Sequence, residues 1–150
     1  MVEGYLSLTR SSKFRNVSFK VGQYLISVSR AYREYYGLVV SKGYSTVINA
    51  DECRRLLDDW DSVARLIRDV TASQYYTFAG PFKASEGSII FNVYYDVFKD
   101  VEVTITRRYI ALKSRDFNRR FRHRRGLQGD LIQVTLNIFA KYIPSASGKA

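Results

Sequence analysis

Cations and aromatic rings recur together along this chain in a mixture suited to a phosphate backbone and its bases. Lys20, Arg30, Arg33 and Lys42 run with Phe19 and Tyr32 in the first half. Lys83, Lys99, Arg107 and Arg108 run with Phe82, Tyr94, Tyr95 and Phe98 in the second. A cationic groove floored by stacking platforms holds single strands with little sequence preference, each base–aromatic stack contributing about 1–3 kcal/mol. The plainer account is that many of the rings fill a core and the cations are solvated strand ends. The cluster RDFNRRFRHRR at 115–125 has two readings. Arg119, Arg122 and Arg125 would track phosphates, with binding that falls steeply with salt. Alternatively, His123, Arg124 and Arg125 face Asp58, Asp59 and Asp61 where two helices pack antiparallel, opposite charges setting the pairing.

Other chemistries find few residues to work with. A nucleophilic triad or a histidine general base would have to use His123, the single His, which sits in an arginine run. One His and one Cys make no zinc site of the His/Cys kind, and no metal or other cofactor is expected. Asp96, Asp100 and Glu102 are near one another in sequence but read as strand-surface carboxylates. Neither a phosphate-binding GxxxxGK[ST] loop nor a GxGxxG turn occurs, and no catalytic residue is assigned.

The bulk numbers agree with a binding role. Twenty-four Lys and Arg against fourteen Asp and Glu give a net charge of +10, a field that attracts polyanions. An apolar fraction of 46% over 150 residues is enough for a core. No apolar run has the roughly 18 residues of a membrane span, and the first residues, MVEGYLSLTRSS, do not read as a signal peptide. An intracellular setting is expected: nucleus, cytoplasm or an infected host cell.

The element that must position these residues starts at Asn49. Glu52 three residues on suggests a capping box, and Cys53, Leu56, Leu57, Trp60, Val63, Ala64, Ile67 and Val70 form one apolar stripe along a helix. Upstream, Lys13–Lys20 reads as an edge strand, and Gln23–Tyr32, Tyr35–Ser41 and Tyr44–Ile48 as strands, with turns at Gly22, Arg33-Glu34 and Lys42-Gly43. Downstream, Gln74–Phe78, Ser88–Phe98, Val101–Thr106 and Tyr109–Leu112 read as strands, with Gly80-Pro81 as a breaker. Ser114 opens a helix-like segment. Residues 131–143 carry both a helical stripe and the alternation Val134, Leu136, Ile138, and helix is favoured because a repeat implies it.

That repeat comes from sliding the chain on itself by 65 residues, which lays 22–67 on 87–132. Gly22 meets Gly87, Val28 meets Val93, Tyr44 meets Tyr109, Asp51 meets Asp116, Arg54-Arg55 meet Arg119-Arg120, and Leu66-Ile67 meet Leu131-Ile132. The expected fold is therefore α+β: two tandem ββββα units, 13–71 and 74–143, followed by a tail at 144–150. Leu56, Leu57, Trp60, Val63 and Ile67 would meet Phe117, Phe121 and Leu131 in a helix–helix interface.

With Phe19-Lys20, Arg30 to Tyr32, Lys42-Gly43 and the helix from Ala50, the first half resembles the positive cofactor four family of transcriptional coactivators. The match covers about 13–70, and 74–132 only through the repeat. The resemblance implies a four-stranded antiparallel sheet with one helix, dimerised to form a groove for single-stranded DNA. The Whirly proteins place two such units in one chain, and the tandem here looks like an intramolecular version of the dimer. Val21 before Gly22, two extra residues before Gly87, and Val97 in the place of Tyr32 depart from the pattern. The expected function is non-catalytic binding of single-stranded DNA, or of RNA, in replication, recombination or transcription, with homo-oligomers allowed. A nucleocapsid-like structural protein and a protein–protein adaptor with an arginine-rich helix are the alternatives.

Overall fold

The computed structural model describes residues 1–11, 14–72, 77–95, 99–123 and 131–143, the side chains of Tyr95 and Lys99 excepted. In chain order the elements are β1 (Val2–Arg10), β2 (Phe14–Val21), β3 (Tyr24–Ala31), β4 (Glu34–Ser41), β5 (Tyr44–Val47), α1 (Ala50–Thr71), β6 (Thr77–Ala84), β7 (Ser88–Tyr95), β8 (Lys99–Thr106), β9 (Tyr109–Lys113), β10 (Asn118–Arg122) and α2 (Leu131–Tyr142). All strands join one antiparallel sheet in the order β10-β9-β8-β7-β6-β1-β2-β3-β4-β5. This overturns the expectation of two separate four-stranded sheets.

Strict alternation builds the core. Leu6 pairs with Phe19, Phe19 with Ile26 and Ile26 with Val39, so one inner face runs across the first half. Phe82 with Phe91, Phe91 with Val103 and Val103 with Leu112 continue it across the second. Both helices cover this face. Phe19 packs edge-on against Trp60 of α1 and Phe139 of α2, at centroid distances of 5.6 and 5.0 Å. Trp60 Nε1 donates to Thr135 Oγ1 at 3.0 Å, joining the helices by a buried hydrogen bond. They are thus two neighbours on one sheet, rather than the interface between two sheets.

The α1 stripe is as its spacing indicates: Cys53, Leu56, Leu57, Trp60, Val63, Ala64 and Ile67 are buried. Asn49 caps it, its side-chain oxygen accepting from the Asp51 and Glu52 amides at 2.8 and 3.4 Å. The Glu52 carboxylate turns to α2 and accepts from Lys141 Nζ at 2.5 Å.

The 65-residue repeat of two ββββα units does not hold, and the strands recur at a larger step. β1 and β6 are antiparallel neighbours at the sheet centre, and each half reads outward in chain order from there. Equivalent strands begin 74 or 75 residues apart: Val2 and Thr77, Phe14 and Ser88, Tyr24 and Lys99, Glu34 and Tyr109, Tyr44 and Asn118. Each half is five strands and a helix. A meander with one strand about every ten residues resembles itself at any multiple of that spacing, so a slide of 65 locks in one strand early.

That slip accounts for the other corrections. Val2–Arg10, absent from the expected strands, holds the centre of the sheet as β1, and β2 is an interior strand between β1 and β3, not an edge. The segment expected as a helix from Ser114 contains β10, and α2 follows at Leu131. Phe117 and Phe121 therefore meet the core from the β9–β10 connection and from β10, whereas Leu131 is buried in α2 as expected. Gly80-Pro81 lies inside β6, where the pairing with β7 runs at Ala79 and resumes at Phe82. Pro81 has no amide to give a ladder, and that gap in the register accommodates it. Gln74, Tyr75, Tyr76, Asp96, Val97, Phe98, Arg124, Arg125 and the tail at 144–150 lie outside the described residues.

Candidate nucleic-acid interface

The helices occupy one face of the sheet, and among the described residues no element covers the other. Alternation puts Tyr5, Ser7 and Thr9 of β1, Asn16, Ser18 and Lys20 of β2, and Lys83, Ile90, Asn92 and Tyr94 of β6 and β7 on that outer face. Tyr5 lies opposite Lys20 and Pro81, near the middle of the sheet. Tyr94 lies one row along, opposite Ala79. Both rings are about half exposed, 49% and 51%. A serine row, Ser7, Ser18 and Ser27, crosses between them and Leu38. Asn16 Nδ2 donates to Ser27 Oγ and Ser29 Oγ at 3.1 and 2.7 Å, which fixes polar groups on this surface.

Because neighbouring strands are antiparallel throughout, every even-numbered strand runs the same way and ends at the same rim. Lys20, Lys83 and Arg122 sit at or next to the ends of β2, β6 and β10, and Lys42, Arg107 and Arg108 in the turns after β4 and β8. All six are exposed. Glu3, 4.0 Å from Lys83, and Glu86 are the acids near this row. At the β9–β10 edge, the Arg120 guanidinium lies 4.1 Å over the Tyr109 ring on the outer face, a ready-made cation and platform. Arg119 points to the inner side, 5.1 Å over Phe121.

The acids cluster on α1, while Glu3, Asp100 and Glu102 lie exposed on the open face, Asp100 opposite Tyr94 and Glu102 opposite Asn92. Six of the fourteen, Asp51, Glu52, Asp58, Asp59, Asp61 and Asp69, are on α1. Asp61 is nearly buried and receives Arg10 at 2.9 Å, Arg15 at 3.5 Å and Arg65 at 3.6 Å. Asp58 accepts from the Tyr35 hydroxyl at 2.9 Å. The cations expected to meet this acidic stretch are His123, Arg124 and Arg125. Its described partners come from the first-half strands and from Arg65 of α1 itself, His123 Nε2 lies against the Thr106 carbonyl, and Arg124 and Arg125 lie outside the described residues.

Several expected contacts do not converge. Phe19 and Phe82 are buried to within 2% exposure and stack on each other and on α2, so neither ring can take a base. Arg30 is on the inner face, 5.5 Å over the Tyr35 ring, and its Nε is buried with no hydrogen-bond partner among the described residues. Tyr32 and Arg33 form the β3–β4 turn at the opposite rim from Lys20 and Lys42. There Tyr32 is 86% exposed, and both residues have positive φ, 53° and 72°. Lys99 starts β8 at that same far rim, and Tyr95 ends β7 there. One expected groove is thus two ends of one sheet.

Tyr5 and the Arg120–Tyr109 pair are additions that the structure makes to the expected set. The alternation Val2, Gly4, Leu6, Leu8 is the available signal for β1, and it exposes Tyr5 on the other face. Among the described residues no group of three His, Cys, Asp or Glu gathers to hold a metal, and no helix is long and apolar enough to cross a membrane. No family model, curated protein or solved structure matches the chain.

Proposed function

We propose that this chain binds single-stranded nucleic acid, without catalysis, on the open face of its sheet and along the cationic rim. The observation that carries the reading is Tyr5, half exposed beside Lys20 on a face that neither described helix covers, with Tyr94 half exposed one row along between Ala79 and Asp100. Rings held on strands need little reordering to stack on bases, and the adjacent ammonium groups lie where a backbone would cross. The +10 charge supplies attraction at longer range. Single-stranded DNA and single-stranded RNA are the two arms of the test.

Fluorescence anisotropy with single- and double-stranded DNA and single-stranded RNA of equal length, over a salt series, tests this. The expected result is tighter binding of a single strand, with affinity falling linearly in log–log form against salt. Tyr5→Ala and Tyr94→Ala should each weaken binding roughly five- to 150-fold, the loss of one stack. Lys20→Ala and Lys83→Ala should each lower the salt slope by about 0.7. Equal affinity for single and double strands, or none at low salt, overturns the reading.

A further inference from the structure

We propose that Arg15 and Arg30, side by side on the helix-bearing face of the sheet, hold a phosphate-type oxyanion. The register sets Arg10 opposite Arg15, Arg15 opposite Arg30 and Arg30 opposite Tyr35. Alternation puts this row on the inner face, at the rim away from Lys20 and Lys42. Like charges directly opposite on neighbouring strands destabilise a sheet, and here three guanidinium groups stand in one row. The row is thus apart from both the open face and the cationic rim.

Among the described residues, counter-charge from α1 stops short of Arg30. Asp61 receives Arg10 at 2.9 Å, Arg15 at 3.5 Å and Arg65 at 3.6 Å. Asp58 accepts from the Tyr35 hydroxyl at 2.9 Å. The Arg30 guanidinium lies 5.5 Å over the Tyr35 ring, and its Nε is buried with no hydrogen-bond partner among those residues. A buried donor of this kind needs an acceptor. Arg15 shares Asp61 with two other arginines, and with its side chain 28% exposed its fork is open to a ligand. Opposite residues on paired strands stand about 5 Å apart at Cβ, and each guanidinium offers paired N–H donors in one plane. A carboxylate would fill one such fork, whereas the several oxygens of a phosphoryl group reach both and its charge offsets both cations. Arg15, Arg30 and Tyr35 are each partly exposed, which admits a small ion.

Isothermal titration calorimetry with inorganic phosphate, at constant ionic strength in chloride and without nucleic acid, tests this apart from the binding reading. The expected result is saturable binding at one site per chain, with a melting temperature that rises with phosphate by mass action. Arg30→Met should weaken phosphate binding about ten- to 100-fold, as loss of charge-assisted hydrogen bonds does. In chloride the same variant should melt no lower than the wild type, because a facing charge is removed while an apolar stem remains on Tyr35. Arg30→Lys, which keeps the charge and loses the fork, should also bind more weakly, and it decides if Arg30→Met fails to fold. Lys20→Ala and Lys83→Ala should leave phosphate binding as it is. A single-stranded oligonucleotide added to the phosphate complex separates the two sources of the group. Displacement assigns it to a strand backbone, and retention assigns it to a free phosphate. Heats that do not saturate, unchanged affinity in Arg30→Met, or a loss of stability in that variant equal in chloride and in phosphate overturns the proposal.

Discussion

Cys53 shows how residue-scale burial becomes a measurable property. Its thiol is fully buried beneath the sheet, where Gly37 has no side chain to compete for the space. Burial, with a smaller contribution from the Glu52 charge, pushes its pKa up to about 11. A raised acid pKa in the folded state means that the unfolded chain loses its proton first. The stabilisation is therefore complete below the unfolded pKa, near 9, and is lost as pH rises to about 11. Tyr35, raised by burial and its bond to Asp58, works in the same direction. Urea melts between pH 8 and pH 11 should show the midpoint falling, by a free energy on the order of 2 kcal/mol for the Cys53 part. Cys53→Ala should flatten that fall. At pH 8 the wild-type thiol should react with a disulfide reagent only as fast as the protein opens.

Among the elements, the β3–β4 hairpin and α1 make opposite use of local preference. Two-residue hairpin turns favour Asn-Gly because both positions take positive φ. Tyr32 and Arg33 adopt that geometry with side chains that resist it, at a cost of about 1–2 kcal/mol per residue. The double variant Tyr32→Asn/Arg33→Gly should therefore raise the melting temperature. It should also leave binding at the cationic rim intact, because the turn lies at the other end of the strands. A loss of affinity comparable to that of Tyr94→Ala would place this turn in the interface and explain the strain. The start of α1, by contrast, is locally well made. Asn49→Ala removes the oxygen that accepts from two free amides and should cost about 0.5–2 kcal/mol, read as a shift in chemical unfolding.

For the whole molecule, the β1–β6 ladder is the joint between the halves. Eight registered pairs run from Val2 with Ala84 to Thr9 with Thr77. Behind that ladder Gly80 comes so close to the Asn92 carbonyl that an added Cβ would stand 1.6 Å from its oxygen. A Cβ added at Gly4 in β1 would likewise stand 2.1 Å from the Lys20 carbonyl oxygen. Gly80→Ala must push β6 and β7 apart and should destabilise by at least about 1–3 kcal/mol, as overpacking does. Because both helices rest on the one core, unfolding should stay a single transition seen alike by circular dichroism and by Trp60 fluorescence. Two resolved transitions would show that the halves are separate folding units. The same arrangement sets the electrostatics: six acids cluster on the helix α1, and the opposite face mixes Lys20, Lys83 and Arg120 with Glu3, Asp100 and Glu102.

Much of this is legible in residue order, because local chemistry dictates local structure. The apolar stripe from Cys53 to Ile67 could only be a buried helix face, Asn49 its cap, and the alternations in 23–32 and 101–106 half-buried strands. The net charge and the wealth of tyrosine stand without any fold. What residue order leaves open is which copy of a ten-residue rhythm matches which, since every strand of a meander resembles the next. Only the long-range pairing of β1 with β6, which closes the chain into one sheet, settles the step of the repeat, and with it the state of β10 and α2. That pairing also decides which rings face out. Phe19 and Tyr5 are both aromatic neighbours of lysine or its partner strand, but the register turns Phe19 to the helices and Tyr5 to solvent. The chemistry of the cations is written in the sequence, and their gathering on one rim comes from the antiparallel sheet.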